Sequence, residues 1–367
     1  MSIATRDVPF IDLRAQYESI RTEIDSAIRS VIERSAFVQG PEVDAFDAEF
    51  ATFCEAKHHV SVGSGTDSLH LALIALGVGP GDEVITQANT FIATLEAIAY
   101  TGAKPVLVDV APPTFDIDVA AVERATSPRT KVILPVHMFG QPAPMNELRG
   151  LASRHGIALL EDASQAHGAR YHGKRIGSEG LATFSFYPSK NLGAYGEGGG
   201  ITTGDDLTAG LLRELRNHGS RSKYKHDSLG YNYRMDGIQA AVLRVKLRHL
   251  QRWTDERRRA ARTYDRLLTK VTRPQVPAHV EHVYHIYPVF VRDRDRVAER
   301  LRERGIQTNV HYPIPCHLQN AFSGLGYRKG EFPYSERIAD EELSLPMFPE
   351  LTDDAIEFVA ETLHSIV

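Results

Sequence analysis

Near the start of the chain Ile20, Ile24, Ile28 and Val31 lie three or four residues apart, a spacing that predicts a helix over 15–33. An extended stretch, 8–13, precedes it. A second helix, 42–54, follows Gly40-Pro41, because proline suits a helix's first turn. From about His59 the pattern changes to short β-branched runs. Strands are predicted at 60–62, 83–86, 105–108, 131–136, 157–160, 183–186 and 201–203, with helices between them that include 68–76, 92–100 and 145–155. Such alternation predicts an α/β fold with a mostly parallel seven-stranded sheet.

Residues 237–268 then read as one long helix with Ile238, Val242, Leu243, Val245, Leu247 and Leu250 in a wide apolar stripe. Its second half carries Arg257, Arg258, Arg259, Arg262 and Arg266, read as a solvated face rather than a phosphate site. After Pro274 and Pro277 comes a smaller α/β unit: a strand at 282–291, a helix at 294–304 and a strand at 307–312. The expected division is a large domain over 1–270 and a small one over 271–367.

The chain has 367 residues and a formal charge of −5, which gives no footprint of a nucleic-acid binder. Cys54 and Cys316 are its only cysteines and form neither a disulfide framework nor a metal cluster, which fits a reducing cytoplasm. Arg6, Asp7, Asp12 and Arg14 leave no signal-peptide core at the start. The most apolar stretch, 69–78, is broken by Gly77 and is about half the ~20 residues of a membrane span. A soluble cytoplasmic enzyme is the expectation.

Three motifs offer chemistry. Phe184-Ser185-Phe186-Tyr187-Pro188-Ser189-Lys190-Asn191 reads as an apolar strand ending in a Pro-Ser turn that presents a lysine. Desolvation and nearby cations make such a lysine nucleophilic, although a lysine after a strand is more often a solvated surface residue. Leu159-Leu160-Glu161-Asp162-Ala163-Ser164-Gln165-Ala166-His167-Gly168 runs a strand into two acids at its C-terminal end, where open α/β sheets bind ligands. A carboxylate there either pairs with a protonated pyridine nitrogen or caps the next helix. Val62-Gly63-Ser64-Gly65-Thr66-Asp67 either offers backbone N–H groups to an anion or makes an ordinary capped turn. It is neither a Walker loop nor a dinucleotide fingerprint.

These motifs, in this order, resemble the DegT/DnrJ/EryC1/StrS family of sugar aminotransferases, within the aspartate-aminotransferase fold (fold type I of pyridoxal-phosphate enzymes). The resemblance runs nearly end to end. It includes Val8-Pro9-Phe10-Ile11-Asp12-Leu13, Phe37-Val38-Gln39-Gly40-Pro41-Glu42, Gly79-Pro80-Gly81-Asp82-Glu83-Val84 and Asn89-Thr90-Phe91-Ile92-Ala93-Thr94. Further along it takes in Gly230-Tyr231-Asn232-Tyr233-Arg234-Met235-Asp236, His311-Tyr312-Pro313 and Ser344-Leu345-Pro346.

The resemblance implies that Lys190 is the Schiff-base lysine of pyridoxal 5'-phosphate and the general acid/base of the proton shift. It implies that Asp162 holds the ring nitrogen protonated, Gln165 meets the 3-hydroxyl oxygen and Phe91 stacks on the ring, where spacing alone would make Phe91 core. The phosphate would meet Gly65, Thr66 and Ser185, with Asn232 reaching the phosphate of the neighbouring subunit, so that the site belongs to a homodimer. Arg234, His311 and Tyr312 match positions facing a nucleotide-sugar, although Arg234 reads equally as an ion-pair arginine. His311, His317 and Cys316 fit no usual metal spacing, and no metal is expected. The implied reaction is ping-pong. Glutamate leaves pyridoxamine 5'-phosphate behind, and a nucleotide-linked keto-sugar then takes the amino group.

Relatives that deoxygenate sugars have histidine at the Schiff-base position, which Lys190 argues against. A non-catalytic sensor would not need Lys190, Asp162, Gln165 and Ser185 together. Stretches 61–69, 230–235 and 311–318 look more like the enzymes that aminate C3 than those acting on 4-keto-sugars. A dTDP-linked 3-keto-6-deoxyhexose is the expected acceptor, with a UDP-linked 3-keto-glucuronic acid derivative as the alternative.

Overall fold

The computed structural model describes residues 7–222 and 224–367, so Arg6 of the charge argument lies outside it. Helix α1 (Leu13–Glu33) starts where the Asp12 carboxylate accepts the Ala15 N–H at 2.8 Å. Helix α2 (Pro41–Phe53) takes its proline in the first turn, where no N–H is missed.

Seven strands follow: β1 (His58–Val62), β2 (Glu83–Gln87), β3 (Lys104–Val108), β4 (Thr130–Leu134), β5 (Ala158–Asp162), β6 (Leu181–Ser185) and β7 (Gly199–Thr203). They form one sheet in the order β1-β7-β6-β5-β4-β2-β3. Strands β6, β5, β4, β2 and β3 pair in parallel, and β7 runs antiparallel to β1 and β6. Every strand expected for this sheet is present.

Alternate side chains go to opposite faces. Ile85 and Ile133 join one core with Phe46 and Phe50 of α2, Leu148 of α5 (Met145–His155) and Leu243 of the long helix described below. Val84, Val132 and Leu134 join another with Leu71 of α3 (Gly65–Ala75), Ile98 of α4 (Ile92–Tyr100) and Leu212 of α6 (Asp206–Leu215). Helices thus cover both faces, and β2 is buried along its whole length.

Helix α7 (Gly237–Leu267) leads to a two-stranded antiparallel sheet of β8 (Tyr287–Phe290) and β9 (Glu342–Leu345), flanked by α8 (Arg294–Glu303) and α9 (Asp353–Ile366). Their core takes in Val8, Ala260, Ala261 and Tyr264 as well as Leu301, Leu343 and Leu363.

Four expectations need correction. The predicted strand at 282–291 shrinks to β8, because the Val283 and Ile286 N–H groups bond instead to the carbonyls of Gly140 and Phe139 and Tyr284 turns the chain at φ 45°. Residues 307–312 form no strand; Ile306 and Asn309 make only isolated bridges to Val8 and Ser344. The stretch at 8–13 likewise contributes a single bridge before α1 begins. In the arginine run, Arg257 is not solvated but 3 % exposed, and its Nη1 donates to the carbonyls of Tyr284 and Met347 at 3.1 and 2.8 Å. Among the described residues, no helix is long and apolar enough to cross a membrane.

Candidate active site

A cavity of about 440 Å³ opens at the C-terminal ends of β2, β4, β5 and β6, beside the N-terminus of α3. This is where ligands bind in open α/β sheets. Strand alternation separates the two acids that end β5. Glu161 turns into a buried pair with His137 Nε2 at 3.1 Å. His137 Nδ1 accepts the Ala143 N–H, so Nε2 carries the proton it donates to Glu161. Asp162 faces the cavity instead. One carboxylate oxygen accepts the Ser164 N–H and the other the Thr94 hydroxyl, both at 3.1 Å. Its main chain is clamped by Pro135 and His137, so the carboxylate enters the cavity in one orientation.

Lys190 follows β6, where its N–H closes a turn on the Tyr187 carbonyl at 2.9 Å. Burial within the cavity walls lowers its ammonium to about 8, against the opposing charge of Asp162. Gln165 spends its side-chain oxygen on the Phe139 N–H at 2.6 Å, which leaves its NH2 group as donor, 3.4 Å from the Tyr312 hydroxyl. Phe91, just before α4, is half exposed with its ring 5.3 Å from that of Tyr312.

Ser64 caps α3, and the backbone N–H groups of Gly65 and Thr66 open its first turn toward the Ser185 hydroxyl. A side chain at Gly65 would put Cβ 2.6 Å from Ser185 Cβ, and one at Gly199 would put Cβ 2.1 Å from the Ser64 carbonyl oxygen. Only glycines let β6, β7 and the helix start approach so closely, and the result is a donor-lined cup suited to a phosphate. The Asp162 carboxylate, the Gln165 NH2 group, the Lys190 amine and this cup, lining one cavity, are a set that would fit pyridoxal phosphate.

His311 and Tyr312 also line the cavity. Burial, and then Lys190, push His311 down to about 4, so its ring is neutral. Arg234 and Asn232 are not brought into it. Arg234 donates to the Asn217 side chain at 2.9 Å, with neither an ion pair nor a cavity contact among the described residues, and Asn232 lies exposed, its backbone bridged to Asn217. Thr94, Glu197 and His285 are cavity residues that sequence reasoning missed. Thr94 lay within a quoted motif. His285 sits in an apolar run that reads as an ordinary strand, and its Nδ1 is 3.2 Å from the Asn191 side-chain oxygen.

A lysine and a carboxylate facing one cavity beside a phosphate-sized cup, on this sheet, define an aminotransferase of the aspartate-aminotransferase fold. The chain belongs to the DegT/DnrJ/EryC1/StrS aminotransferase family, whose model matches residues 18–364. It is 49 % identical over 363 residues to a protein of Geobacillus stearothermophilus named "Pleiotropic regulatory protein", covering 97 % of this chain and 98 % of the relative. It is 47 % identical over 351 residues to the dTDP-3-amino-3,4,6-trideoxy-alpha-D-glucose transaminase of Streptomyces venezuelae, covering 95 % and 93 %. The crystal structure of S. venezuelae DesV in complex with a ketimine intermediate superposes with a TM-score of 0.97 at 45 % identity, covering 98 % of both chains.

Proposed function

We propose that the protein moves an amino group from glutamate to the 3-keto position of a dTDP-linked 6-deoxyhexose, with pyridoxal 5'-phosphate held in the cavity described above. The observation that carries this reading is the shared cavity of Lys190 and Asp162, with a glycine-framed cup beside them. The similarity to a named dTDP-sugar transaminase supports the substrate class.

Bound pyridoxal phosphate would supply an aldehyde that takes the amino group and a ring that accepts electrons. Lys190 would hold the cofactor at rest through its amine and would carry the proton shifted during the reaction. Its lowered pKa keeps part of the amine neutral near pH 7. Asp162, fixed by Thr94 and Ser164, holds a proton on the ring nitrogen. Gln165 donates to the ring oxygen, Phe91 covers the ring, and Gly65, Thr66 and Ser185 bind the phosphate. His311 and Tyr312 meet the sugar.

We place Asn232 at the phosphate of the partner subunit, in a homodimer, with Arg234 beside it facing the nucleotide-sugar. We set the boundary between large and small domains near residue 270, after the last turns of α7, whose Ala260, Ala261 and Tyr264 join the C-terminal core. Buried free thiols at Cys54 and Cys316 favour a cytoplasmic setting. The regulatory name of one relative raises a sensor as a second reading, which the complete Lys190–Asp162 pair disfavours.

The test is the absorbance spectrum of the wild type and Lys190→Ala, before and after glutamate. A cofactor band that glutamate bleaches in the wild type alone supports the enzyme. A protein that takes up no chromophore even with added pyridoxal phosphate sinks it. Assays with dTDP- and UDP-linked 3-keto-sugars then decide the nucleotide.

A further inference from the structure

Behind His311 lies a short chain of polar groups that leads out of the cavity. Glu342, the first residue of β9, is fully buried. Its Oε2 accepts the His311 N–H at 2.7 Å, and its Oε1 is 2.5 Å from the Ser344 hydroxyl. That hydroxyl lies 2.8 Å from His311 Nδ1. Ser344 is held in register by reciprocal backbone hydrogen bonds with Asn309, at 2.8 and 3.1 Å. The His311 ring lies 6.0 Å from the Phe10 ring. Three side chains are therefore linked without a gap, and the last of them faces the cavity.

We propose that Glu342, Ser344 and His311 form a proton relay into the active-site cavity, in which Glu342 is a positioning residue that sets the tautomer of His311. The inference rests on reading this cavity as the site of a keto-sugar aminotransferase. With Glu342 protonated, Oε1–H donates to Ser344, whose hydroxyl hydrogen turns to His311 Nδ1. Nε2 then carries the ring's only proton toward the cavity. Donation from Nε2 reverses the chain: the Nε2–H bond breaks, Nδ1 takes the Ser344 proton, and Ser344 takes the proton of Glu342. One proton enters the cavity, one negative charge remains on Glu342, and the imidazole stays neutral throughout. Amination replaces the keto oxygen of the sugar, which leaves as water and needs a proton to do so.

The charges around this chain favour the protonated start. Burial raises the Glu342 carboxyl to about 8, while its bonds to Ser344 and His311 and the Arg294 charge pull it down. The Arg294 guanidinium donates to the Glu342 main-chain oxygen, at 2.9 Å, rather than to the carboxylate. Tyr312, Lys190 and His285 are the other titratable groups around Glu342 and His311.

Neutron diffraction from deuterated crystals reads the relay directly. At pH 6 the proposal requires deuterons on Glu342 Oε1 and His311 Nε2; at pH 9.5 it requires Nδ1 occupied and Nε2 bare. A deuteron on Nδ1 at both pH values overturns it. Glu342→Gln keeps both hydrogen bonds, with its NH2 group donating to Ser344, and should fix the deuteron on Nε2 at both pH values. In single-turnover kinetics Glu342→Gln and Ser344→Ala should slow the keto-sugar half-reaction about 100-fold, at least tenfold more than the glutamate half-reaction. Equal slowing of both halves marks a structural role and rejects the relay. A wild type inert toward glutamate would instead overturn the proposed function, whatever the deuterons show.

Discussion

Lys190 lies where burial lowers its pKa to about 8 while the Asp162 carboxylate opposes the shift. Roughly a tenth of such an amine is neutral at pH 7, against less than a thousandth of an ordinary lysine. Uptake of pyridoxal phosphate by the apoenzyme should therefore speed up with pH and level off above about 8, not above 10. Asp162→Asn removes the charge that holds the ammonium, so the rise should move to lower pH while turnover falls about 100-fold or more. Stopped-flow absorbance across pH 6–10 checks both, and an unchanged profile in Asp162→Asn would break the link between the two residues. Lys190, Asp162 and Gln165, which line one cavity, were legible in the sequence through the family resemblance, since each motif alone fits a surface lysine, a helix cap or a turn equally well. Thr94, Glu197 and His285 were not, since what makes them cavity residues is folding that brings distant segments together. Glu342 had no sequence signal, because an acid starting a strand looks like any surface residue until its burial is known.

Helix α7 shows where periodicity alone misleads. A helix on the surface of one domain has one buried face, and by that rule the run from Arg257 to Arg266 is solvated. Here the last turns of α7 run on into the C-terminal core, where Ala260, Ala261 and Tyr264 are buried. The buried face is wider there, and Arg257 falls on its inner side. Its guanidinium holds the carbonyls of Tyr284, His285 and Met347 against the helix. Arg257→Ala leaves those acceptors buried and unpaired and should destabilise the protein by about 3 kcal/mol. Arg262→Ala, on the exposed side, should change stability by less than about 0.5 kcal/mol. Urea unfolding of the two variants decides the matter: equal midpoints would restore the solvated reading. The central sheet was easier to read. Strands buried on both faces leave short apolar runs that stand out between helices. The C-terminal unit was harder, because its strands are short and their partners lie far away, so that β8 pairs with β9 across more than fifty residues.

At the scale of the whole molecule, Asn232 and Arg234 remain outside the cavity formed by their own chain. They sit on a surface strip that also bears Leu229, 96 % exposed, a large apolar residue with no cover in a single copy. A second copy seated on this strip would cover Leu229 and carry Asn232 to the partner's phosphate cup. The cup contains helix N–H groups and the Ser185 hydroxyl, and Glu197 lines the same cavity. Asn232 of a second copy would add a side-chain amide donor to these groups. If Asn232 acts across the interface, Lys190→Ala and Asn232→Ala are defective separately and complement each other. In a hybrid dimer one site has lost both residues and the other has both intact. Random exchange of equal amounts should restore about a quarter of wild-type activity, as two-fold symmetry requires. Were Asn232 to act within its own chain, every site in the mixture would lack one residue and activity would not return. Co-refolding the two variants, with sedimentation to confirm the dimer, separates these outcomes, and recovery would show that neither subunit holds a complete site alone.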